Sequence, residues 1–187
     1  MSTSTQIRGL RPPHLPAAGV LVAGLILAAP LLSGGALEGQ VHVGGQFALA
    51  SDSGVGLGAR LVFPLRPERL RLDGAMDINH YPSPGSGVDN WNELNLNARL
   101  PLPVSDRFVT RVGAGLNLAF VSTESVPGSA GESRTDAGLN LLAAVEFSRG
   151  RFSRGRVIPF VETRLVLGDR SQAILTGGVT LGSPRGN

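Results

Sequence analysis

The chain has 187 residues, with 17 basic and 14 acidic side chains, a formal net charge of +3 and no cysteine. This length fits one domain, and the lack of cysteine excludes disulfides and a lipid-modified N-terminal cysteine. All basic residues are arginine, and residues 1–36 hold two of them and no acid. The rest therefore carries 15 arginines against 14 acids, a net charge of +1. That balance excludes nucleic-acid binding driven by bulk charge.

Residues 1–36 have the layout of a secretory signal peptide. Arg8 and Arg11 precede an apolar run that extends from Ala17 to Leu32. Gly34 and Ala36 then occupy the small-residue positions of a cleavage site, so we expect export and cleavage after about Ala36. The alternative is a retained membrane anchor, because about sixteen apolar residues are close to the shortest length that spans a bilayer.

From residue 37 to residue 182 the sequence alternates between apolar and polar residues, as a β-strand with one apolar face does. Clusters of Gly, Pro, Ser and Asp divide this region into eight predicted strands. The strands are Gln40–Ala50, Val55–Leu65, Leu70–Tyr81, Trp91–Leu102, Phe108–Val121, Thr135–Phe147, Val157–Gly168 and Gln172–Gly182. Most exceed the usual strand length and match a tilted membrane crossing.

The connections differ between the two ends of such a sheet. Pro82–Asn90 and Ser122–Arg134 are long and polar, whereas Arg66–Glu68 and Pro103–Asp106 are short. Bacterial membrane barrels show this asymmetry, with short periplasmic turns and longer outer loops. We expect the two long loops to be contact surfaces for a ligand that the sequence does not identify, with Trp91 beside them as an aromatic anchor.

The polar face of the strands carries a nearly balanced set of charges, which favours an enclosed lumen because an unpaired buried charge is costly. The apolar face would then meet lipid. The predicted lumen charges are Arg60, Arg71, Asp73, Asp77, Arg99, Arg111, Asp136, Glu146, Glu162 and Arg164. Phe63, Phe108 and Phe147 share the apolar face at the short-turn ends of their strands, which predicts a periplasmic-side aromatic girdle.

Several segments together resemble a known family of proteins. TDAGLNLLAAVEF (Thr135–Phe147), PFVETRLVLGD (Pro159–Asp169) and LTGGVTL (Leu175–Leu181) resemble the closing hairpins of small bacterial outer-membrane barrels, of the outer membrane protein A and X type. RVGAGLNLAF (Arg111–Phe120) resembles the strand before them. The resemblance covers most of residues 40–182. It implies an all-β fold, an eight-stranded antiparallel up-and-down transmembrane β-barrel.

The resemblance also implies location and partners. The expected location is the bacterial outer membrane, where the partners would be lipid, lipopolysaccharide and, during biogenesis, the barrel-assembly machinery. The expected state is a monomer. Two features depart from the family. The first is Leu181, which stands where the family ends on an aromatic residue and is followed by the tail at 183–187. The tandem repeat FSRGRFSRGR (Phe147–Arg156) occupies a connection that the family keeps short.

We predict no catalytic residue, no metal site and no cofactor. Pro82 separates His80 from Ser83 in HYPS, so these two do not share a strand face. Asp77 and His80 are interpreted as a lumen aspartate and a rim histidine rather than a catalytic pair. Cys/His clusters and phosphate-binding glycine loops are lacking.

Three functions remain open from the sequence. The first is a non-enzymatic structural or surface-interaction role, with the lumen plugged by Arg/Asp/Glu pairs. The second is a narrow gated channel for ions or small solutes. The third is a soluble periplasmic ligand-binding barrel of lipocalin type, which requires an apolar interior that includes Leu70, Leu72, Met76 and Ile78.

Overall fold

The computed structural model describes residues 41–65, 72–82, 84, 88–102, 108–123, 131–147 and 157–182. The expected signal peptide, Arg71, most of the tandem repeat and the tail at 183–187 lie outside these residues. Within the described ranges there is no helix of the length and hydrophobicity needed to span a bilayer.

The described residues form a closed barrel of eight antiparallel strands in sequence order. The strands are β1 (His42–Ala50), β2 (Gly54–Leu65), β3 (Leu72–Tyr81), β4 (Val88–Leu102), β5 (Val109–Thr123), β6 (Ser133–Glu146), β7 (Val157–Gly168) and β8 (Gln172–Gly182). Pairing of β8 with β1, from His42↔Gly182 to Ala50↔Ile174, closes the barrel. The predicted up-and-down topology is therefore confirmed.

The barrel has two distinct ends. We call the end where β1, β3, β5 and β7 finish the loop end, and the end where β1 begins and β8 finishes the base. Strand bounds match the sequence prediction at β7 and β8, but β4 begins at Val88 rather than at Trp91. The outer loop predicted at Pro82–Asn90 is therefore shorter, because its last three residues continue the strand.

The apolar face of the strands points outward. Val43, Phe47 and Leu139 are 55%, 66% and 58% exposed, whereas Arg60, Asp77 and Arg99 are 1%, 0% and 0% exposed. Leu72, Met76 and Ile78 share one parity in β3, opposite to that of the lumen residue Asp77. The lipocalin alternative required an apolar interior, so the structure contradicts it.

Strands β4, β5 and β6 extend beyond their neighbours at the loop end. They have 15, 15 and 14 residues, and they pair with each other as far as Val88↔Thr123 and Ser122↔Ser133. On one side, pairing of β3 with β4 stops at Tyr81↔Trp91. On the other side, pairing of β6 with β7 stops at Gly138↔Gly168. These three strand ends therefore form a raised sheet above the barrel mouth.

Candidate functional site: the barrel lumen and its mouth

The middle of the lumen holds a ring of two arginines and two acids. Arg60 Nε lies 2.5 Å from Asp77 Oδ1, and Arg60 Nη2 lies 2.9 Å from Glu162 Oε1. Arg164 Nη2 lies 2.6 Å from Asp77 Oδ2 and 2.5 Å from Glu162 Oε1. The Phe160 ring packs under Arg60, whose Cζ is 4.1 Å from the ring centroid. Each charge therefore contacts two opposite charges in a site shielded from solvent.

A second charge cluster lies toward the base. Arg111 contacts Asp73, and Arg111 Nε lies 2.7 Å from Glu146 Oε2. Glu146 is shared with the buried Arg99, whose Nη1 lies 3.1 Å from Oε1. A cavity of about 320 Å³ opens beside this cluster, and His42 and Thr180 complete its polar lining. The base of the lumen is therefore a charged vestibule rather than a packed plug.

Toward the loop end, the charges give way to an amide layer of asparagine side chains from several strands. Asn117 Nδ2 donates to Asn95 Oδ1 at 2.8 Å, and Asn140 Nδ2 donates to Asn97 Oδ1 at 2.9 Å. Gln46 Nε2 similarly donates to Asn79 Oδ1 at 2.7 Å. Gly115 lies beside this layer, and a Cβ at that position would clash with Asn97. The glycine therefore makes room for the amide side chains.

The mouth at the loop end is apolar. Tyr81 and Trp91 are 0% and 2% exposed, and we call them the aromatic lid. They pack in one cluster with Ala48, Ala119, Val121, Val166 and Ile174. Sequence analysis placed Trp91 beside the outer loops as a contact anchor, and this was wrong. Trp91 has the strand parity of Asn95 and Asn97, so the alternation of β4 turns its ring inward.

The predicted lumen residues fall into three groups. Arg60, Asp77, Glu162 and Arg164 meet in the ring, and Asp73, Arg99, Arg111 and Glu146 meet at the base. Asp136 lies instead at the rim of the mouth, where Arg134 Nη2 contacts it at 3.0 Å and Arg170 Nε lies 4.0 Å away. Both of these arginines are substantially exposed, so this cluster differs from the buried ones.

The three girdle phenylalanines lie at the base end of the barrel. Phe63 pairs in register with Gly74, whose missing side chain leaves space for the Phe63 ring. Phe147 is 40% exposed, and its backbone N–H donates to Pro159 O. Phe108 directly precedes β5, whose first residue pairs with Glu146. All three have outward parity near the base ends of their strands, so the aromatic girdle stays a prediction.

The structure keeps apart the two residues considered for catalysis. Asp77 points into the lumen, whereas His80 has outward parity and its Nδ1 lies 2.9 Å from Asn92 Oδ1. Sequence reasoning overlooked one buried acid, Glu93, which is 1% exposed. Its parity with Asn95, Asn97 and Arg99 was the available signal.

Comparison with known proteins finds similar structures, whereas the sequence searches find no match. No protein-family model matches the chain, and no curated protein matches its sequence. The N-terminal β-barrel domain of OprF from Pseudomonas aeruginosa is similar, with a TM-score of 0.60, 12% identity, and coverage of 77% of this chain and 97% of that one.

Two further solved structures are similar over the same region. Neisserial surface protein A gives a TM-score of 0.52 at 21% identity, covering 76% of this chain and 95% of that one. Ail, the attachment invasion locus protein of Yersinia pestis, gives 0.53 at 12% identity with the same coverages. These neighbours are small eight-stranded outer-membrane barrels, so the chain has the fold of that group of proteins.

Proposed function

We propose that this chain is a non-enzymatic protein of the bacterial outer membrane, with a closed lumen and a role in surface interaction. The observation that carries the proposal is the division of the wall: large apolar side chains cover its outside, and ion pairs fill its inside. In a bilayer this arrangement places the apolar surface against lipid and removes the charges from it. The similar barrels support the same location.

The size and the contents of the lumen support the proposal that it is closed. The interior of an eight-stranded barrel is just wide enough for side chains to fill. The ring of Arg60, Asp77, Glu162 and Arg164 has equal numbers of positive and negative charges, and all four side chains are at most 1% exposed. The charges of this ring balance one another without a permeant ion, while Arg60 Nη1, Glu162 Oε2 and Arg164 Nη1 have no hydrogen-bond partner among the described residues. We therefore favour a plug over the channel alternative.

The surface role is supported by the raised sheet. Ser133–Ala137 of β6 pair with β5, and in the described part of the chain they have no strand partner on the side of β7, where pairing begins at Gly138. Four of these five residues are exposed. An unpaired strand edge of five residues, about 16 Å at ~3.3 Å per residue, can accept an added strand from another polypeptide.

The chemistry of the rim indicates the kind of partner strand. Arg134 and Arg170 are 46% and 40% exposed, and they share the single carboxylate of Asp136. The exposed acids Glu132 and Asp169 lie close to these arginines in sequence, so the rim carries charges of both signs. We infer that the partner is an extended segment, held by backbone hydrogen bonds, whose acidic side chains contact Arg134 and Arg170.

The test is hydrogen exchange of the β6 amides in the full-length protein, folded in detergent. The probe is an acidic peptide of threonine, valine and glutamate, and its control has the same charge but alternate prolines, which cannot donate to a ladder. We expect the first peptide alone to slow exchange at Ser133–Ala137, at the amides that point away from β5. The effect should weaken with added salt. Equal effects of both peptides, or protection elsewhere only, would contradict the proposal.

A further inference from the structure

Glu93 is a buried carboxylate that the ion-pair clusters do not use. It is 1% exposed and lies in β4 between the aromatic lid and the amide layer. In the described part of the lumen, four arginines (Arg60, Arg99, Arg111 and Arg164) pair with Asp73, Asp77, Glu146 and Glu162, and no ion pair includes Glu93. A buried charge without a counter-ion requires hydrogen bonds.

Glu93 receives its hydrogen bonds from both members of the lid. Trp91 Nε1 donates to Oε1 at 3.0 Å, and Tyr81 Oη donates to Oε2 at 3.4 Å. Gln172 Nε2, from the first residue of β8, also donates to Oε1. One carboxylate thus connects three strands, β3, β4 and β8, across the mouth.

The lid has a second contact on its outer side. Arg170, in the connection between β7 and β8, places its Cζ 5.6 Å from the centroid of the Trp91 ring. A cation over an indole face is attractive. The indole of Trp91 is therefore contacted by Arg170 on the side of the outer solution and by Glu93 on the side of the lumen. Of the two, Glu93 is fully enclosed and contacts the lid directly through hydrogen bonds.

We propose that Glu93 is a latch that holds the aromatic lid closed over the loop-end mouth of the lumen. This goes beyond the plug of the proposed function, because the lid is a separate barrier that lies on the outer side of the ion-pair ring. Releasing Glu93 frees the Trp91 and Tyr81 side chains to leave the mouth. The ring at Arg60 and Asp77 remains intact when the lid opens.

The amide layer lies directly beneath the aromatic lid, so opening the lid would expose it. Among the described side chains, Asn95 Nδ2 and Asn140 Oδ1 are buried and have no hydrogen-bond partner within the protein. Buried polar groups of this kind bind water. An open lid would connect this amide layer to the outer solution and admit small neutral solutes as far as the ring.

The single tryptophan of the chain makes the lid directly observable. Its intrinsic fluorescence, and its quenching by acrylamide, report on Trp91 alone. In the wild-type protein we expect emission at short wavelength and weak quenching. Glu93→Ala removes the acceptor for three donors, and each hydrogen bond to a charged group is worth about a factor of ten or more in equilibrium. We therefore expect red-shifted emission and a severalfold rise in the quenching constant.

Two variants keep this test specific. Glu93→Gln retains a carbonyl acceptor of the same shape, so we expect it to stay close to wild type and to show that the hydrogen bonds, rather than the charge, hold the lid. Glu132→Ala removes an exposed acid at the same end and should change nothing. Retained heat-dependent gel migration confirms that each variant is a folded barrel. If Glu93→Ala does not fold, Tyr81→Phe removes one donor and should raise quenching by a smaller amount.

The outcomes separate the latch from the proposed function. If the Glu93→Ala and Tyr81→Phe variants both fold and both show unchanged emission and quenching, the proposal that Glu93 holds the lid is wrong. Conductance is measured in parallel in planar bilayers, where we expect none from wild type or from Glu93→Ala, because the ring still closes the lumen. Conductance by the wild-type protein would instead overturn the closed lumen, whatever the tryptophan reports.

Discussion

Replacing Asp77 by alanine is expected to destabilise the folded barrel by about 3–5 kcal/mol, the usual result of removing one partner from a buried ion pair. Asp77 is 0% exposed and contacts both Arg60 and Arg164. Without it, two guanidinium groups in the middle of the lumen share the single carboxylate of Glu162. The measurement is the free energy of unfolding in urea. The fraction of folded protein at each urea concentration is read from the difference in gel migration between folded and unfolded protein.

The matched control is Asp136→Ala at the rim. Its partners Arg134 and Arg170 are substantially exposed, and exposed ion pairs contribute only about 0–1 kcal/mol. We expect the control to lose less than about 1 kcal/mol for this reason. Equal losses in the two variants would mean that the ring is hydrated and that the middle of the lumen is open to water.

The second large effect is expected on the outer wall. Leu141 is 49% exposed and has outward parity near the middle of β6. If this surface meets lipid, Leu141→Arg should destabilise the barrel in bilayers by about 2–4 kcal/mol, the cost of a basic side chain at the membrane midplane. The same urea titration in lipid vesicles measures it.

The control for the outer wall is Ser133→Arg, on the raised sheet of the same strand. Ser133 is exposed at the tip of β6, where an arginine meets water. A change within about 0.5 kcal/mol is expected for a surface substitution of this kind. If Leu141→Arg cost no more than Ser133→Arg, the apolar wall would not be in contact with hydrocarbon.

Period-two alternation was sufficient to predict the strands and the direction of their faces. Alternation fixes side-chain direction, and β7 and β8 have the predicted bounds because Gly168 and Gln172 flank a short turn. Alternation alone does not mark where a strand begins. The first residues of β4 therefore looked like a loop, and Trp91 was assigned to the surface although its parity pointed inward.

The ion-pair partners could not be predicted, because strand register alone does not determine them. Asp73 and Arg99 are direct cross-strand neighbours, yet Arg99 pairs with Glu146, and Asp73 pairs with Arg111. Long side chains cross the lumen, and their partners depend on the three-dimensional positions of the strands, which the sequence alone does not give. Glu93 was overlooked for a related reason: its partners Tyr81, Trp91 and Gln172 are neutral donors, so no charge pattern marked it.

The central claim is that the apolar face of the strands meets lipid and the charged face is enclosed. Site-directed spin labelling tests it most directly, because the chain has no cysteine of its own. Labels are attached to single-cysteine variants of Leu139, Leu141 and Ala143 in vesicles, and their collisions with oxygen and with a water-soluble nickel chelate are compared. We predict frequent oxygen collisions and few nickel collisions at all three outward positions. Frequent nickel collisions there would contradict the account, because the outer wall would then face water.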